Sequence, residues 1–359
     1  MQLKANKQEW AKAYAIFRLI GAGNLAKGNR HQQPVEDENL RLLRLTRYEG
    51  EGSLKITRYS DEITAVLNGI EKKIPLQRFS ELADRLLLLL KGKEEEFICP
   101  EAETLLDELG IFDFNPSALE GEDFEAVFFN EKTECEEFRR IRIKSNLSNL
   151  YLVAANRASN FKYDITQVKF SNPETNKINA IGDNETGSIL RLDEIFRLGG
   201  KLKFTGTEGK FFLSALQLID MQLPKLLAEM IRNFYTTDLL TVRDLTEELN
   251  RNNPFKVKDE MIEKSRVYEY KIRQFLYAAA CGMKPTKTWR GNGYNHTHLF
   301  ITKKGELLSY DPNEKENFEK FLFFNTRFSL PNEDKNKFGS IEKENGQWLI
   351  KLNLEIRFI

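Results

Sequence analysis

The sequence has few of the residues that build covalent or metal-bound scaffolds: it contains three cysteines and three histidines among 359 residues. Cys99, Cys135 and Cys281 lie too far apart for a Cys-x-x-Cys pair, which argues against a disulfide framework or a dithiol redox site. Proline and glycine are also sparse, at 10 and 21 residues, which excludes collagen-like and low-complexity chains. A folded protein with an extensive core remains.

Net charge and long apolar runs are missing as well. The 54 basic residues balance 54 acidic ones, so any nucleic-acid site must be a local basic patch. The apolar run 86–90 is flanked by Arg85 and Lys91 and is far shorter than the roughly 18 residues of a membrane helix. The first residues lack the apolar region of a secretory signal. We therefore expect a cytoplasmic protein with no membrane partner.

Motifs of several enzyme classes are absent. The sequence contains no Gly-x-Ser-x-Gly elbow, no phosphate-binding P-loop and no Gly-x-Gly-x-x-Gly fingerprint. His296 and His298 would point to one side of a strand, but they lack the neighbouring ligands of a zinc site. Serine or cysteine hydrolases and nucleotide-driven enzymes are therefore not supported.

Hydrophobic periodicity predicts a mixed α/β fold. Apolar residues spaced three or four apart predict helices at 7–20, 79–90, 101–110, 211–235, 242–250 and 259–280. Ser80 is the predicted N-terminal cap of the helix at 79–90. Short alternating runs predict strands within 40–67 and at 123–129, 138–145, 162–170 and 201–205, followed by two C-terminal hairpins, one around Asn345-Gly346. The polar segment 172–188 is predicted to be a loop, and the run 349–358 a strand with one buried and one polar face.

The order of these elements predicts three regions. Residues 1–95 form an N-terminal helix and small sheet, residues 96–235 a core with a central mixed sheet, and residues 236–359 a helical region closed by hairpins.

Chemistry is best sought on the predicted hairpin 123–145. It carries Asp123 on one strand and Lys144 on the next. A carboxylate can hold Mg²⁺ against a phosphodiester, while a neighbouring lysine orients water or neutralises charge. The alternative is a solvated hairpin with cross-strand ion pairs such as Glu125 with Arg142. Spacing alone favours this alternative.

A resemblance to a known family favours the nuclease. The segment FRRIRIKSNLSNLYLVAANRASNFKYDI resembles the active-site signature of HpaII-type type II restriction endonucleases, and it matches that signature at Ile143, Lys144, Ser145, Leu147, Asn160, Phe161 and Tyr163. The likeness continues in order through LKFTG, LIDMQLP, YEYKIRQFL, GMKPTKTWRG, FLFFNTRF and the terminal IKLNLEIRF. It therefore covers most of the chain.

The resemblance implies a PD-(D/E)xK nuclease with a restriction-endonuclease-like central mixed sheet flanked by helices, so that 96–235 would be the nuclease core. Asp123, in GEDFEAVF, corresponds to the family's metal-binding aspartate and Lys144 to its catalytic lysine. The implied cofactor is Mg²⁺. The implied partner is double-stranded DNA with a short palindromic, CCGG-like site, bound by a homodimer of a bacterial restriction-modification system.

The sequence departs from the superfamily pattern at Arg142, where an acidic metal ligand is usual and where the family has serine. Another carboxylate must therefore complete the metal site. Glu125 shares a strand face with Asp123 by alternation and is our predicted second ligand. The preceding helix offers further candidates, namely Glu101, Glu103 and Asp107.

DNA contacts require amide, hydroxyl and guanidinium groups. The segment after Lys144, the matched signature and the loop 284–298 supply them, and we predict contacts by Ser145, Asn146, Ser148, Asn149, Asn160, Lys287, Trp289 and Arg290. Two other functions stay open. Arg142 is compatible with a DNA-binding protein that has lost cleavage, and the hairpin could simply be the edge of a structural or partner-binding protein.

Overall fold

The computed structural model describes residues 4–49, 52–92, 94–111, 114 and 121–359. The chain divides into two compact units, each built from two chain segments: unit 1 from Met1–Leu150 and Tyr294–Phe321, and unit 2 from Tyr151–Gly293 and Leu322–Ile359. The sequence-based boundaries at 95/96 and 235/236 fall inside unit 1 and unit 2 respectively. The three-region division thus differs from this partition and stays a prediction.

Runs of strands and runs of helices follow one another along the chain. The strands are β1 (Lys4–Asn6), β2 (Asn24–Gly28), β3 (Pro34–Glu49), β4 (Gly52–Arg58), β5 (Glu62–Leu67), β6 (Ile70–Pro75), β7 (Glu96–Ile98), β8 (Phe124–Asn130), β9 (Cys135–Ser145), β10 (Tyr151–Val153), β11 (Asn160–Thr166), β12 (Lys201–Thr207), β13 (Thr297–Ile301), β14 (Leu307–Tyr310), β15 (Thr326–Phe328), β16 (Ile341–Glu344), β17 (Gln347–Asn353) and β18 (Ile356–Phe358). The helices are α1 (Lys7–Ala22), α2 (Leu76–Leu90), α3 (Pro100–Leu109), α4 (Asn172–Asn179), α5 (Gly187–Arg197), α6 (Lys210–Ile219), α7 (Leu223–Thr236), α8 (Val242–Asn252), α9 (Asp259–Glu263), α10 (Val267–Ala280), α11 (Lys315–Phe324) and α12 (Glu333–Asn336), with a short 3₁₀ turn at Arg157–Ser159. The predicted mixed α/β class is confirmed.

Unit 1 is built on a mixed sheet with the order β2-β14-β13-β9-β8-β3-β4-β5-β6. The predicted hairpin 123–145 is its β8–β9 pair, in which Phe124 lies opposite Ile141. On the other side of β9, β13 runs parallel to it. Alternation along β9 therefore gives two faces: Ile141 and Ile143 join the buried core, while Arg142 and Lys144 lie on the opposite face.

Helix α1 supplies much of the core of unit 1. It begins with a capping box formed by Asn6 and Glu9 and ends at Gly23, whose φ of 73° is left-handed. Trp10, Tyr14 and Phe17 on its apolar stripe are fully buried, as their spacing predicts.

Unit 2 contains two small antiparallel sheets, ordered β12-β11-β17-β16 and β10-β18-β15. The predicted hairpin at Asn345-Gly346 joins β16 to β17, and both residues have positive φ angles, 51° and 83°. The run 349–358, predicted as one strand, is divided between β17 and β18, which lie in different sheets, and its predicted polar face is also wrong. Lys351 and Asn353 are as buried as their apolar neighbours, because β17 is an interior strand covered on both faces.

Three local predictions need correction. Ser80 is not a cap, because α2 begins at Leu76 and Ser80 lies within it, donating to the carbonyl of Leu76. The segment 172–188 is not a loop: it contains α4, capped by Ser171, and the start of α5. The predicted helix 259–280 is two helices, α9 and α10, separated where Arg266 adopts a left-handed φ of 46°.

The predicted helix 211–235 is divided near Pro224, as expected from the loss of a backbone donor. Its two halves, α6 and α7, meet at an angle of 110°. Within the part of the chain that the structure describes, no single helix has the length and apolar character to cross a membrane, although this bent pair meets those two criteria together.

Candidate active site

Asp123 is fixed to β9 by its backbone and its side chain. It lies directly before β8, and its N–H donates to the carbonyl of Ile141 at 2.8 Å. Carboxylate Oδ2 accepts the backbone N–H of Ile143 at 2.8 Å, and Oδ1 lies 2.8 Å from the Nζ of Lys12. The side chain is 9% exposed. Asp123, the predicted catalytic aspartate, is thus a buried carboxylate that is hydrogen-bonded to the backbone of Ile143, the residue before Lys144.

The cation that pairs with Asp123 is the side chain of Lys12, a residue of α1. Besides contacting Asp123, the Lys12 ammonium donates to the carbonyl of Phe114 at 3.1 Å. An ammonium at this distance neutralises a carboxylate much as a metal ion would, so that a divalent cation at Asp123 must compete with it. Sequence analysis missed Lys12, because a lysine on an amphipathic helix carries no signal of its own.

Lys144 lies on the opposite face of β9 from Ile143. It pairs in register with Phe300 of β13, and Arg142 pairs with His298. Burial, followed by the positive charges of Lys144 and Arg142, lowers the pKa of His298 well below its ordinary value. The ring of Phe318, from α11, packs edge-on against His298 at 4.9 Å. Lys144 and Arg142 are therefore two half-buried cations on one face of β9, beside the neutral imidazole of His298.

A second buried acid adjoins Asp123 in the sequence. The Oε2 atom of Glu122 lies 3.3 Å from Nε2 of His296, and both side chains are almost completely buried. The ring of Tyr294 stacks on His296 at 5.5 Å. Sequence analysis did not single out Glu122; its only signal was its position beside Asp123 in GEDF.

Glu125, the predicted second metal ligand, has partners on neighbouring strands. It accepts the hydroxyl of Tyr48 at 3.1 Å, and this hydrogen bond raises the pKa of Tyr48. Arg140 lies opposite Glu125 in the hairpin register, 3.7 Å from its carboxylate. The cross-strand ion pair that we considered for Glu125 is therefore formed with Arg140 rather than with Arg142.

The fit to Mg²⁺ rests mainly on Asp123. Its hard carboxylate oxygens are the donors that Mg²⁺ prefers, and they already carry a cationic partner. Among the residues with a described placement, no group of three or more His, Cys, Asp or Glu side chains is arranged to hold a metal ion. Of the acids on α3, Glu101 pairs with Arg85 at 2.9 Å.

The predicted DNA contacts that follow Lys144 differ in exposure. Ser145 and Asn146 are buried, whereas Asn149 is exposed. The side-chain amide of Gln8, in α1, donates to the hydroxyl of Ser148 at 2.7 Å. This hydrogen bond anchors the segment to α1. Direct contact with DNA stays a prediction for all four residues.

Asn160 is completely buried in unit 2. Its amide donates to Glu208 and to the carbonyl of Asn336, both at 3.0 Å, and it accepts the amide of Asn353 at 2.6 Å. These bonds give the matched signature residue a structural role in joining β11 to β17. Its predicted contact with DNA stays a prediction.

The loop between α10 and β13 carries the other predicted contacts. Lys287 and Arg290 are exposed, and Trp289 is half-buried. Exposed cations on an irregular segment are compatible with binding phosphates or bases, but their role in DNA binding also stays a prediction.

Comparison with known proteins identifies a restriction endonuclease. The model of the HpaII restriction endonuclease family matches residues 6–358, and the chain belongs to that family. A curated relative, the type II restriction enzyme HpaII of Haemophilus parainfluenzae, is 32% identical over 361 residues, covering 99% of this chain and 98% of the relative. No solved structure matches significantly. The predicted family and the predicted class of enzyme, a type II site-specific deoxyribonuclease, are confirmed.

Proposed function

We propose that this protein is a Mg²⁺-dependent endonuclease that cuts double-stranded DNA at a short palindromic, CCGG-like site. We also propose that it acts as a homodimer within a restriction-modification system of the bacterial cytoplasm. The observation that carries the catalytic assignment is the attachment of Asp123 to β9. Its buried carboxylate accepts the N–H of Ile143, which immediately precedes Lys144. A carboxylate and a lysine are thereby held on the same strand pair.

Asp123 would hold Mg²⁺, together with a second carboxylate. When bound, the metal supplies polarisation of the phosphodiester and acidification of a water molecule. The protein's own residues provide the rest. The Ile143 amide orients the Asp123 carboxylate, Lys12 balances its negative charge while no metal is bound, and Lys144 adds positive charge for the phosphate or for the attacking water.

The second carboxylate is either Glu125, predicted from strand alternation, or Glu122. Glu125 is already hydrogen-bonded to Tyr48 and paired with Arg140. Glu122 adjoins Asp123 in the chain and is more deeply buried. Each can be replaced by glutamine and the Ca²⁺ dependence of DNA binding measured. Only replacement of the residue that binds the metal should raise the Ca²⁺ concentration needed for half-maximal binding.

For DNA recognition we propose two sets of residues. Asn149, Lys287 and Arg290 are exposed and suit direct contact with the duplex. The less exposed candidates would act at the edge of the interface or by holding the backbone that approaches DNA; they are Ser145, Asn146, Ser148, Asn160 and Trp289.

The test of the catalytic assignment compares Asp123→Ala with Lys144→Ala. We expect both to abolish plasmid cleavage in Mg²⁺. In Ca²⁺, Asp123→Ala should bind a short duplex as well as or better than wild type, because a carboxylate that repels phosphate is gone. Lys144→Ala should bind more weakly and with a smaller salt dependence, because one phosphate-proximal cation is lost. Cleavage is followed by gel electrophoresis and binding by fluorescence anisotropy.

The matched control is Asp84→Asn, which removes an exposed carboxylate of unit 1 that pairs with Arg18 and should cut normally. Asp123→Asn keeps the shape of the side chain if the alanine variant folds poorly. Wild-type cleavage by Asp123→Asn would show that the metal site is elsewhere. Arg142, at the position of the usual acid, favours a second candidate, a DNA-binding protein without cleavage. Binding without cutting by the wild type in Mg²⁺ would establish it.

A further inference from the structure

Helix α6 of unit 2 has an exposed face that is largely apolar. Phe211 and Leu218 lie about two turns apart on the same side of the helix, and Met221 follows the end of the helix. Their exposed fractions are 54%, 56% and 73%, and Ser214, between them, is exposed as well. We call Phe211, Ser214, Leu218 and Met221 the α6 face. Large apolar side chains clustered on an exposed face are typical of a protein–protein interface.

The α6 face borders the loop that carries predicted DNA contacts. A methyl group at the Cβ position of Gly291 would lie 3.9 Å from Cδ2 of Leu218. Gly291 directly follows Arg290, an exposed cation for which we propose contact with DNA. In a CCGG-like palindrome each half-site extends only about 7 Å from the two-fold axis, at roughly 3.4 Å per base pair. When two chains read such a site, surfaces beside the reading loop of one chain therefore lie close to the same surfaces of the other.

The α6 face is self-complementary, as a two-fold contact requires. The small side chain of Ser214 lies near the middle of the helix, with Phe211 on one side along the axis and Leu218 on the other. When two copies of α6 pack antiparallel with the two-fold axis beside Ser214, Phe211 of one chain meets the partner's Leu218. The small central residue allows the two helices to approach closely, because the interaxial distance depends on the side chains at the contact.

The charges at the two ends of α6 fit the same arrangement. Lys210 is the first residue of the helix and is exposed, and Asp220 follows the last residue. Antiparallel packing brings Lys210 of each chain close to the partner's Asp220. Asp220 contacts Lys271 within its own chain and its side chain is 28% exposed, so that its carboxylate can accept a second cation. Opposite charges at the rim of a contact fix its register and orientation.

We propose that the α6 face is the contact between the two chains of the homodimer, with the two α6 helices packed antiparallel across the two-fold axis. The occupant of this face is thus a second copy of the chain. Phe211, Leu218 and Met221 form the apolar centre of the contact, and the charges at the ends of α6 form its rim. The inference rests on the proposed function, which requires two chains on one palindrome, and it names the surface that joins them.

Sedimentation velocity of the full chain, with and without a CCGG duplex in Ca²⁺, tests this contact. Leu218→Glu buries a carboxylate in the apolar centre and should raise the dissociation constant of the dimer roughly tenfold or more. The matched control is Leu190→Glu, which changes another exposed leucine on a helix of unit 2 and should dimerise like the wild type. Urea midpoints of both variants report whether the fold is kept.

Ser214→Cys tests the register of the two helices. It is made together with Cys135→Ser, which removes the exposed native thiol. Two cysteines beside the axis should form a disulfide between the chains under mild oxidation, seen as a dimer on a non-reducing gel. Glu247→Cys in the same background places a thiol at an exposed position of α8 and should remain monomeric on that gel.

A wild-type chain that is monomeric in both conditions would overturn the inference, as would a dimer that Leu218→Glu leaves intact. Loss of DNA affinity by Leu218→Glu with unchanged dimerisation would assign the face to DNA and also overturn it. If Leu218→Glu melts early, the cross-link at Ser214 decides. Failure of the wild type to bind or cut any duplex would refute the proposed function by itself, because the contact between the chains is also measured without DNA.

Discussion

The imidazole of His298 shows how one residue's surroundings set its charge. Burial, Lys144, Arg142 and the neighbouring His296 all lower its pKa, so that the folded protein keeps it neutral. An unfolded histidine has a pKa near 6.5. Below about pH 6.5 the unfolded chain therefore binds a proton that the folded chain refuses, and the free energy of unfolding decreases as pH falls.

We predict that the free energy of unfolding decreases less on acidification in His298→Gln than in the wild type. Urea denaturation of both proteins between about pH 5 and pH 8, in EDTA, measures it. The variant should lose less stability than wild type on acidification through pH 6.5. Parallel curves for the two proteins would show that His298 does not cause the pH dependence.

Strand β17 is an interior strand of the four-stranded sheet of unit 2. It pairs with β11 on one side and β16 on the other, and Leu352, opposite Phe161, is fully buried. Leu352→Ala leaves a cavity that the two neighbouring strands cannot close, and we expect a loss of about 2–5 kcal/mol in the free energy of unfolding. Deletion from Gln347 onward removes β17 and β18, one interior strand from each of the two small sheets, and should give insoluble protein.

Gln347→Ala is the matched control, because Gln347 opens the same strand and is exposed; its urea midpoint should equal that of wild type. A Leu352→Ala protein with the wild-type midpoint would mean that this side of the sheet repacks without cost. A soluble, active truncation would show that β17 is dispensable.

At the scale of the whole molecule, the zero formal charge means that DNA binding must come from local basic surfaces rather than from the overall field. A palindromic site read by a two-fold assembly requires two chains per duplex. We therefore predict, by sedimentation velocity in Ca²⁺, a complex of two chains with one palindromic duplex. A complex of one chain with one duplex at all protein concentrations would contradict the homodimer.

The sequence by itself determined the features that depend on residues close together in the chain. The three-and-four spacing of α1, the Asn345-Gly346 turn and the β8–β9 hairpin are local patterns, and the structure has them where they were predicted. The family was equally accessible, because its signature around Lys144 is a continuous segment of chain.

Only the tertiary structure decided which distant residues meet. Lys12 pairs with Asp123, His296 lies beside Glu122, and Arg327 lies opposite Arg357. Strand pairing and helix packing bring these residues together. No local spacing encodes those pairings: hydrophobic patterns specify which face of an element is buried, but not which other element covers it. The same reason explains the wrong prediction of a polar face for β17, since the segments that cover the two faces of a sheet come from distant parts of the chain.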